Sequence, residues 1–214
     1  MTELLTVDTK RREMKERAKS PEHRPIESGS VEVIVGSMFS GKTDEMIKRL
    51  RRAKIAKHKI QVFKSVVDKR YSKKNLVSHS GSEFDAVPVK DVQQIKELLE
   101  EHTSVVAIDE AQFFNDEIIP FVQELADQKI RVIVAGLDTD FRGEPFGPVP
   151  TLMAQAEIID KYHAICMVCG GPATCTQRLI DDEPAKYDDP IVIVGAAELY
   201  EARCRGHHKV PGKP

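Results

Sequence analysis

The sequence predicts an α/β protein, a parallel sheet with helices on both faces, followed by a small lobe built on different principles. Two observations carry this reading. From Val31 onward short β-branched runs alternate with helical segments, and over the last 49 residues cysteine, glycine and turn residues replace that alternation. The strand VEVIV at 31–35 is followed by a helix over about 42–58 and then by KIQVFK at 59–64. A strand, a crossover and a further strand imply parallel pairing with right-handed connections. The helix DVQQIKELLEE, the strand SVVAID at 104–109, the helix DEIIPFVQELADQ and the strand RVIVAGLD at 131–138 repeat the pattern, as an α/β layer requires. A last helix is expected from Val149 to Ile158, beyond which only PIVIVGA at 190–196 interrupts the turn-rich stretch.

Three regions follow from this: a tail over 1–30 with mixed charge and little to bury, a main domain over 31–160, and a C-terminal lobe over 161–214. A chain of 214 residues, 41% hydrophobic and 31% charged, suits one well-packed domain with a satellite. Lysine and arginine number 32 against 34 acidic residues, a formal charge of -2, so no global basic field points to nucleic acid or an anionic membrane. The basic run at 48–59 reads as the solvated side of a helix, with Met46, Ile47, Leu50, Ala53 and Ala56 inward and Lys48, Arg49, Arg51, Arg52 and Lys54 mainly outward. No run reaches the roughly 18 apolar residues of a membrane span. The N-terminus is polar where a signal peptide needs apolar residues, so the expected location is the cytoplasm.

The segment GSMFSGKT, made of Gly36, Ser37, Met38, Phe39, Ser40, Gly41, Lys42 and Thr43, lies between a strand and a helix. It matches the P-loop in spacing and context. Several backbone N–H groups must converge on a phosphate chain, which calls for glycine at strained positions and a helix N-terminus behind them. Lys42 then reaches the β- and γ-phosphates, and Thr43 serves Mg²⁺. Asp109, at the end of SVVAID, is the natural second Mg²⁺ partner, and Glu110 beside it is free to accept a proton or to be a solvated turn residue. In a P-loop NTPase-like sheet Gly36, Asp109 and Asp138 should project into one crevice.

Cys166 and Cys169 form CMVC, and Cys204 and His207 form CRGH, two pairs separated by 34 residues. This is a zinc-ribbon spacing: each two-residue spacer lets one turn present two donors at about 2.0–2.3 Å from Zn²⁺, and four protein ligands make a closed, structural site. His208 and His163 lie close enough in sequence to compete as the fourth ligand, and Cys175 belongs to neither pair and is expected to pack as a small apolar side chain.

Together with VVDKRYS at 66–72, AIDEAQFF at 107–114, AGLDTDFRGEPFG at 135–147, TQRL at 176–179 and VGAAELYEARCRGH at 194–207, these motifs resemble the zinc-containing (type II) thymidine kinases of bacteria, animals and poxviruses, from about Val31 to Lys209. The resemblance implies that Glu110 is the catalytic base and that Asp109, Glu110, Ala111 and Gln112 form a nucleotide-binding turn beside the P-loop. It implies a lasso loop between the knuckles, over about 170–203, closing on the nucleoside. Met38, Phe113, Phe141, Phe146, Thr176 and Tyr200 then form the pocket wall, with backbone around Ile193 to Gly195 reading the thymine edge. Asp68 and Arg70 match a pair near the phosphates, and Arg142 is a second arginine candidate there. ATP with Mg²⁺, structural zinc, thymidine, feedback inhibition by dTTP and a homotetramer are further implications. The competing readings are a P-loop ATPase that hydrolyses ATP to drive motion, and a zinc-ribbon nucleic-acid module. A guanine-specific switch is disfavoured because no [NT]-K-x-D stretch is present.

Overall fold

The computed structural model describes residues 29–66, 75–77, 83–192 and 199–214; Asp68, Arg70, Ile193 and Gly195 lie outside them. The main domain contains β1 (Ser30–Gly36), α1 (Lys42–Ile55), β2 (Ile60–Ser65), a short antiparallel hairpin of β3 (Asn75–Val77) and β4 (Glu83–Asp85), and β5 (Val87–Val89). It continues with α2 (Val92–Leu98), β6 (Val105–Asp109), α3 (Ile118–Asp127), β7 (Arg131–Gly136), α4 (Val149–Gln155) and β8 (Ile158–Tyr162). Six strands form one sheet in the order β5-β2-β6-β7-β1-β8, and every neighbouring pair is parallel.

Strand periodicity explains the layers. Successive side chains alternate faces, so in β1 Val31, Val33 and Val35 join one apolar cluster and Ile34 the other. The first cluster packs β1, β6 and β7 against Ile118, Phe121, Val122 and Leu125 of α3, with Val92 and Ile95 of α2 and Val149 and Leu152 of α4 added. The second packs Ile34, Val62, Ala107, Ile133 and Ala135 against Met46, Ile47, Leu50 and Ala53 of α1. Helices therefore cover both faces, as expected for strands buried on both sides. Local signals set the helix ends: Asp91 caps α2 by accepting the Gln94 N–H at 2.9 Å, and Pro148 opens α4.

Three expectations are corrected. The helix after Val149 stops at Gln155, and Ile158–Tyr162 forms a sixth strand. It is an edge strand with Ile159 and Lys161 turned to solvent, so it lacks the continuous apolar run that marked the inner strands. Ala56 is exposed past the end of α1. Arg49 is buried rather than solvated: it bonds Glu32 on β1 at 2.7 Å, Glu45 at 3.0 Å and Asp160 on β8, while Arg131 holds the other oxygen of Glu32 at 2.5 Å. Helical spacing set Arg49 on the solvated face because it cannot show the carboxylates that two strands bring to it.

After Tyr162 the architecture changes. β9 (Ala164–Ile165) pairs antiparallel with β10 (Pro172–Ala173), and β11 (Cys175–Ile180) lies between β12 (Glu183–Pro184) and β13 (Tyr200–Arg203). Among the described residues the lobe's apolar cluster is Ala164, Cys166, Ala173 and Ala202, with Cys204 against it. So small a cluster supplies little burial energy, and a lobe of this size needs another staple. Among the described residues no helix is long and apolar enough to cross a membrane.

The buried charge cluster gives a stability test. Arg49→Ala removes a buried cation shared by Glu32, Glu45 and Asp160 and should cost about 3 kcal/mol, at the low end for a broken buried pair because Arg131 still neutralises Glu32. Lys48→Ala, at a side chain 61% exposed and paired with Glu45, should cost less than about 1 kcal/mol. Urea unfolding of the two variants checks the contrast.

Candidate functional site

The site forms where β1, β6 and β7 end side by side. Gly36 closes β1 with φ 144°, and a β-carbon there would lie 2.2 Å from the Tyr162 carbonyl oxygen and 2.8 Å from Ser40 Oγ. Only glycine fits. Gly41, with φ 84°, turns the chain into α1 in a left-handed conformation that L side chains resist. Between them the Oγ atoms of Ser37 and Ser40 are buried and find no hydrogen-bond partner among the described residues. Buried hydroxyls in this state suit an oxyanion ligand, so the loop fits a phosphate chain. Lys42 Nζ meanwhile donates to the Ser37 carbonyl at 2.8 Å. Burial pushes the Lys42 ammonium below its ordinary pKa, against the opposing pull of Glu110, Asp109 and Asp138. The three strand-end carboxylates and the P-loop lysine thus share one electrostatic neighbourhood, as the sequence led one to expect.

Asp109 is buried at the end of β6. Glu110 follows with φ 55° and ψ 42°, a left-handed turn that lifts it out of strand alternation and opens the short 3₁₀ turn Ala111–Phe113. Its Oε2 accepts from Gln112 Nε2 at 2.5 Å, and Gln112 Oε1 accepts the Leu137 N–H at 3.0 Å. Leu137 lines a cleft of about 440 Å³, open mouth included, together with Met38, Phe113, Asp140, Phe141, Phe146, Thr176, Ile191, Val192 and Tyr200. All six described side chains expected in the pocket wall are there. Phe113 and Phe146 meet edge to face, centroids 5.8 Å apart. Leu137, Asp140, Ile191 and Val192 are additions; Leu137 and Asp140 belong to the quoted AGLDTDF run, which was the signal for them.

Met38 joins the phosphate loop to the cleft. Its side chain is a wall of the cleft, and its N–H donates to Thr176 Oγ1 on β11 at 3.0 Å. Arg142 does not reach that junction. Its guanidinium bonds Asp140 at 2.8 Å and stacks over Tyr187 at 4.9 Å.

At the far end of the lobe Cys166, Cys169, Cys204 and His207 bring their donor atoms within 4.8 Å of one another. Cys166 Sγ to His207 Nδ1 is 3.7 Å, Cys169 Sγ to Cys204 Sγ 3.9 Å, and Cys204 Sγ to His207 Nδ1 3.2 Å. A tetrahedron with about 2.3 Å metal–sulfur bonds has edges of about 3.8 Å, so the group could hold a metal ion. The thiols agree. Burial opposes ionisation of Cys166, but N–H groups of Cys204, Cys169 and Val168 aimed at its sulfur bring it down to about 5. The Gly171 N–H acts likewise on Cys169, yet its neighbours Cys166 and Cys204 leave that thiol raised overall. A dication among them relieves that conflict. His163 is not in the group. His208 turns away, its Nε2 on the Phe141 carbonyl at 2.8 Å and its ring hydrogen-bonded to Cys175. Cys175 therefore has a polar partner, contrary to its expected apolar packing, and the histidine lowers its pKa despite partial burial.

A parallel sheet covered on both faces, with a glycine-bounded phosphate loop after β1 and acids at the adjacent strand ends, defines a P-loop α/β nucleotide-binding protein. The family model for thymidine kinase matches residues 29–208, and the chain belongs to the thymidine kinase family. The Cys₃His group is consistent with the zinc-type subfamily, and membership supports a kinase function. The chain is similar to the genome packaging NTPase B204 of Sulfolobus turreted icosahedral virus 2 in complex with ATP-gammaS, at 20% identity and TM-score 0.40, covering 64% of this chain and 75% of that one. It is also similar to domain III of the Thermotoga maritima replication initiation protein DnaA, at 12% identity and TM-score 0.38, covering 69% and 58%.

The two neighbouring histidines should separate in a metal assay. His207→Ala should lower bound metal to well under one ion per chain, and His208→Ala should leave it unchanged, as measured by elemental analysis of purified protein.

Proposed function

We propose that this protein is a thymidine kinase that transfers the γ-phosphate of ATP to the 5′-hydroxyl of thymidine, giving dTMP and ADP. The observation that carries the reading is the position of Glu110. Its charge acts on Lys42 of the phosphate loop, and through Gln112 its carboxylate is tied to Leu137, a wall of the apolar cleft. A proton acceptor between a phosphate loop and an apolar, nucleoside-sized cleft is what phosphoryl transfer to a bound alcohol needs.

Glu110 orients the 5′-hydroxyl and takes its proton as the oxygen attacks the γ-phosphorus, and the bridging oxygen leaves with ADP. Lys42 is then free to exchange the Ser37 carbonyl for β- and γ-phosphate oxygens. Thr43 and Asp109 are the residues that would hold Mg²⁺, which supplies charge neutralisation on the phosphates. Asp68 and Arg70 are further candidates near the phosphates. Phe113, Phe141, Phe146 and Met38 offer apolar surface for a methylated pyrimidine, and exclusion of water by this wall favours the alcohol as acceptor. In the lobe we assign zinc to Cys166, Cys169, Cys204 and His207, with a structural role: it pins both ends of a lasso over about 170–203, including Ile193 to Gly195. Cytoplasmic location, a homotetramer and dTTP inhibition are proposed on family membership alone.

ATP offered with each nucleoside in turn should yield a monophosphate with thymidine; ATP hydrolysis that thymidine fails to stimulate would overturn the assignment. Glu110→Gln should lower kcat by about 10²- to 10⁴-fold with ATP affinity nearly intact, and turnover within about threefold of wild type would remove Glu110 from the mechanism.

Cys204→Ser should lower thermal stability and weaken thymidine binding more than ATP binding, because freeing the lobe raises the entropic cost of ordering it on the nucleoside. Calorimetric titration with each ligand reads the difference.

A further inference from the structure

We infer that Gln112 is the positioning residue for Glu110, holding the carboxylate in the orientation from which it takes the hydroxyl proton. The inference rests on the reading of Glu110 as the base. Gln112 follows Glu110 by two residues on the 3₁₀ turn and is 3% exposed. Its amide spans two elements: Nε2 donates to Glu110 Oε2 at 2.5 Å, and Oε1 accepts the Leu137 N–H at 3.0 Å just beyond β7. The Glu110 carboxylate is thereby referenced to the backbone of the strand whose next side chain lines the cleft. One Glu110 oxygen is taken by the amide, and among the described residues the other has no hydrogen-bond partner and can accept from a substrate hydroxyl.

The surroundings are shaped to seat this side chain. A β-carbon on Gly136 would lie 2.8 Å from Gln112 Oε1, 3.0 Å from Val149 Cγ2 and 3.3 Å from the Ala111 nitrogen. Gly136 lies within β7 and is not among the glycines with positive φ, so space and not backbone conformation demands glycine there. On the other side a β-carbon on Gly147 would meet the Gln112 carbonyl oxygen at 2.5 Å. Gly136 thus leaves room for the amide, and Gly147 for the backbone that carries it.

The chemistry favours an amide in that space. Glutamine donates to a carboxylate without bringing a charge, so it fixes direction while leaving the group basic, whereas lysine or arginine would hold it as an ion pair. The resemblance assigns Gln112 to the nucleotide-binding turn. Its side-chain oxygen and one of its N–H bonds are engaged inside the protein, so nucleotide contact by this turn falls mainly to backbone.

A double-mutant cycle tests the inference, because a residue acting only through Glu110 loses its effect once Glu110 is disabled. In the full-length protein Gln112→Met should lower kcat by about 10- to 100-fold, the scale of a misplaced catalytic group. ATP affinity and thymidine KM should move by less than about threefold. In the Glu110→Gln background the same change should cost less than about threefold in kcat. Gln112→Glu keeps the length and the acceptor for Leu137 but sets a carboxylate against Glu110, and should reduce kcat at least as much. It also serves as the test variant if Gln112→Met fails to fold. Gly136→Ala, which crowds the amide, should reproduce the kcat defect. Effects of Gln112→Met that multiply fully with Glu110→Gln, or a loss of ATP affinity in both backgrounds, would overturn the positioning role. Unchanged turnover in Glu110→Gln alone would instead sink the reading of Glu110 as base.

Discussion

The contact on which the rest of the structure depends is the approach of the Tyr162 carbonyl to Gly36. The edge strand β8 runs parallel to β1 and places that oxygen 2.2 Å from where a β-carbon would stand. Because nothing larger than hydrogen fits, the chain leaves β1 tight against the sheet, and the phosphate loop sits over the ends of β1, β6 and β7 and not out in solvent. The buried acids at those ends then act on Lys42, and Met38 in the middle of the loop reaches Thr176 of the C-terminal lobe. One steric constraint at the mouth of the sheet thus aligns the loop, the acids and the wall of the cleft.

Besides the shared cleft, hydrogen bonds join the two lobes. His208 reaches the Phe141 carbonyl, and Lys213 bonds the Arg142 carbonyl and pairs with Glu144, while within the lobe Gln177 holds both the N–H and the carbonyl of Lys209. These contacts tie the segment after the second knuckle to the loop carrying Phe141 and Arg142. Arg178 adds a further tie: fully buried, it stacks on the Phe141 ring at 3.6 Å and donates to the Pro190 carbonyl at 2.5 Å. Phe141 is thereby braced by β11, which pairs with β13 up to Arg203, the residue before Cys204.

What the sequence revealed followed from how local each signal is. The inner strands announced themselves because burial on both faces demands unbroken apolar runs, and the Cys₃His group because a two-residue spacer is itself the turn that presents each pair. β8 was hidden since an edge strand has one wet face, and EIIDKY mixes charge into its alternation. Arg49 was misjudged for a related reason: its partners Glu32 and Asp160 come from strands far away in the chain. In the cleft, residues inside motifs were found, but Ile191 and Val192 come from a segment with no regular period to place them. The β3–β4 hairpin consists of two three-residue strands, NLV and EFD, too short to show a period in the sequence.

Glu110 occupies a backbone conformation, φ 55° and ψ 42°, that glycine or asparagine tolerates better than glutamate. Such positions typically store about 1 kcal/mol or more, so the fold would be more stable with a residue there that cannot act as a base. Selection for heat resistance alone would be drawn to this position and, with Glu110 as the base proposed above, would enrich robust but inactive proteins. A thermostabilisation campaign on this scaffold therefore needs an activity screen at every round.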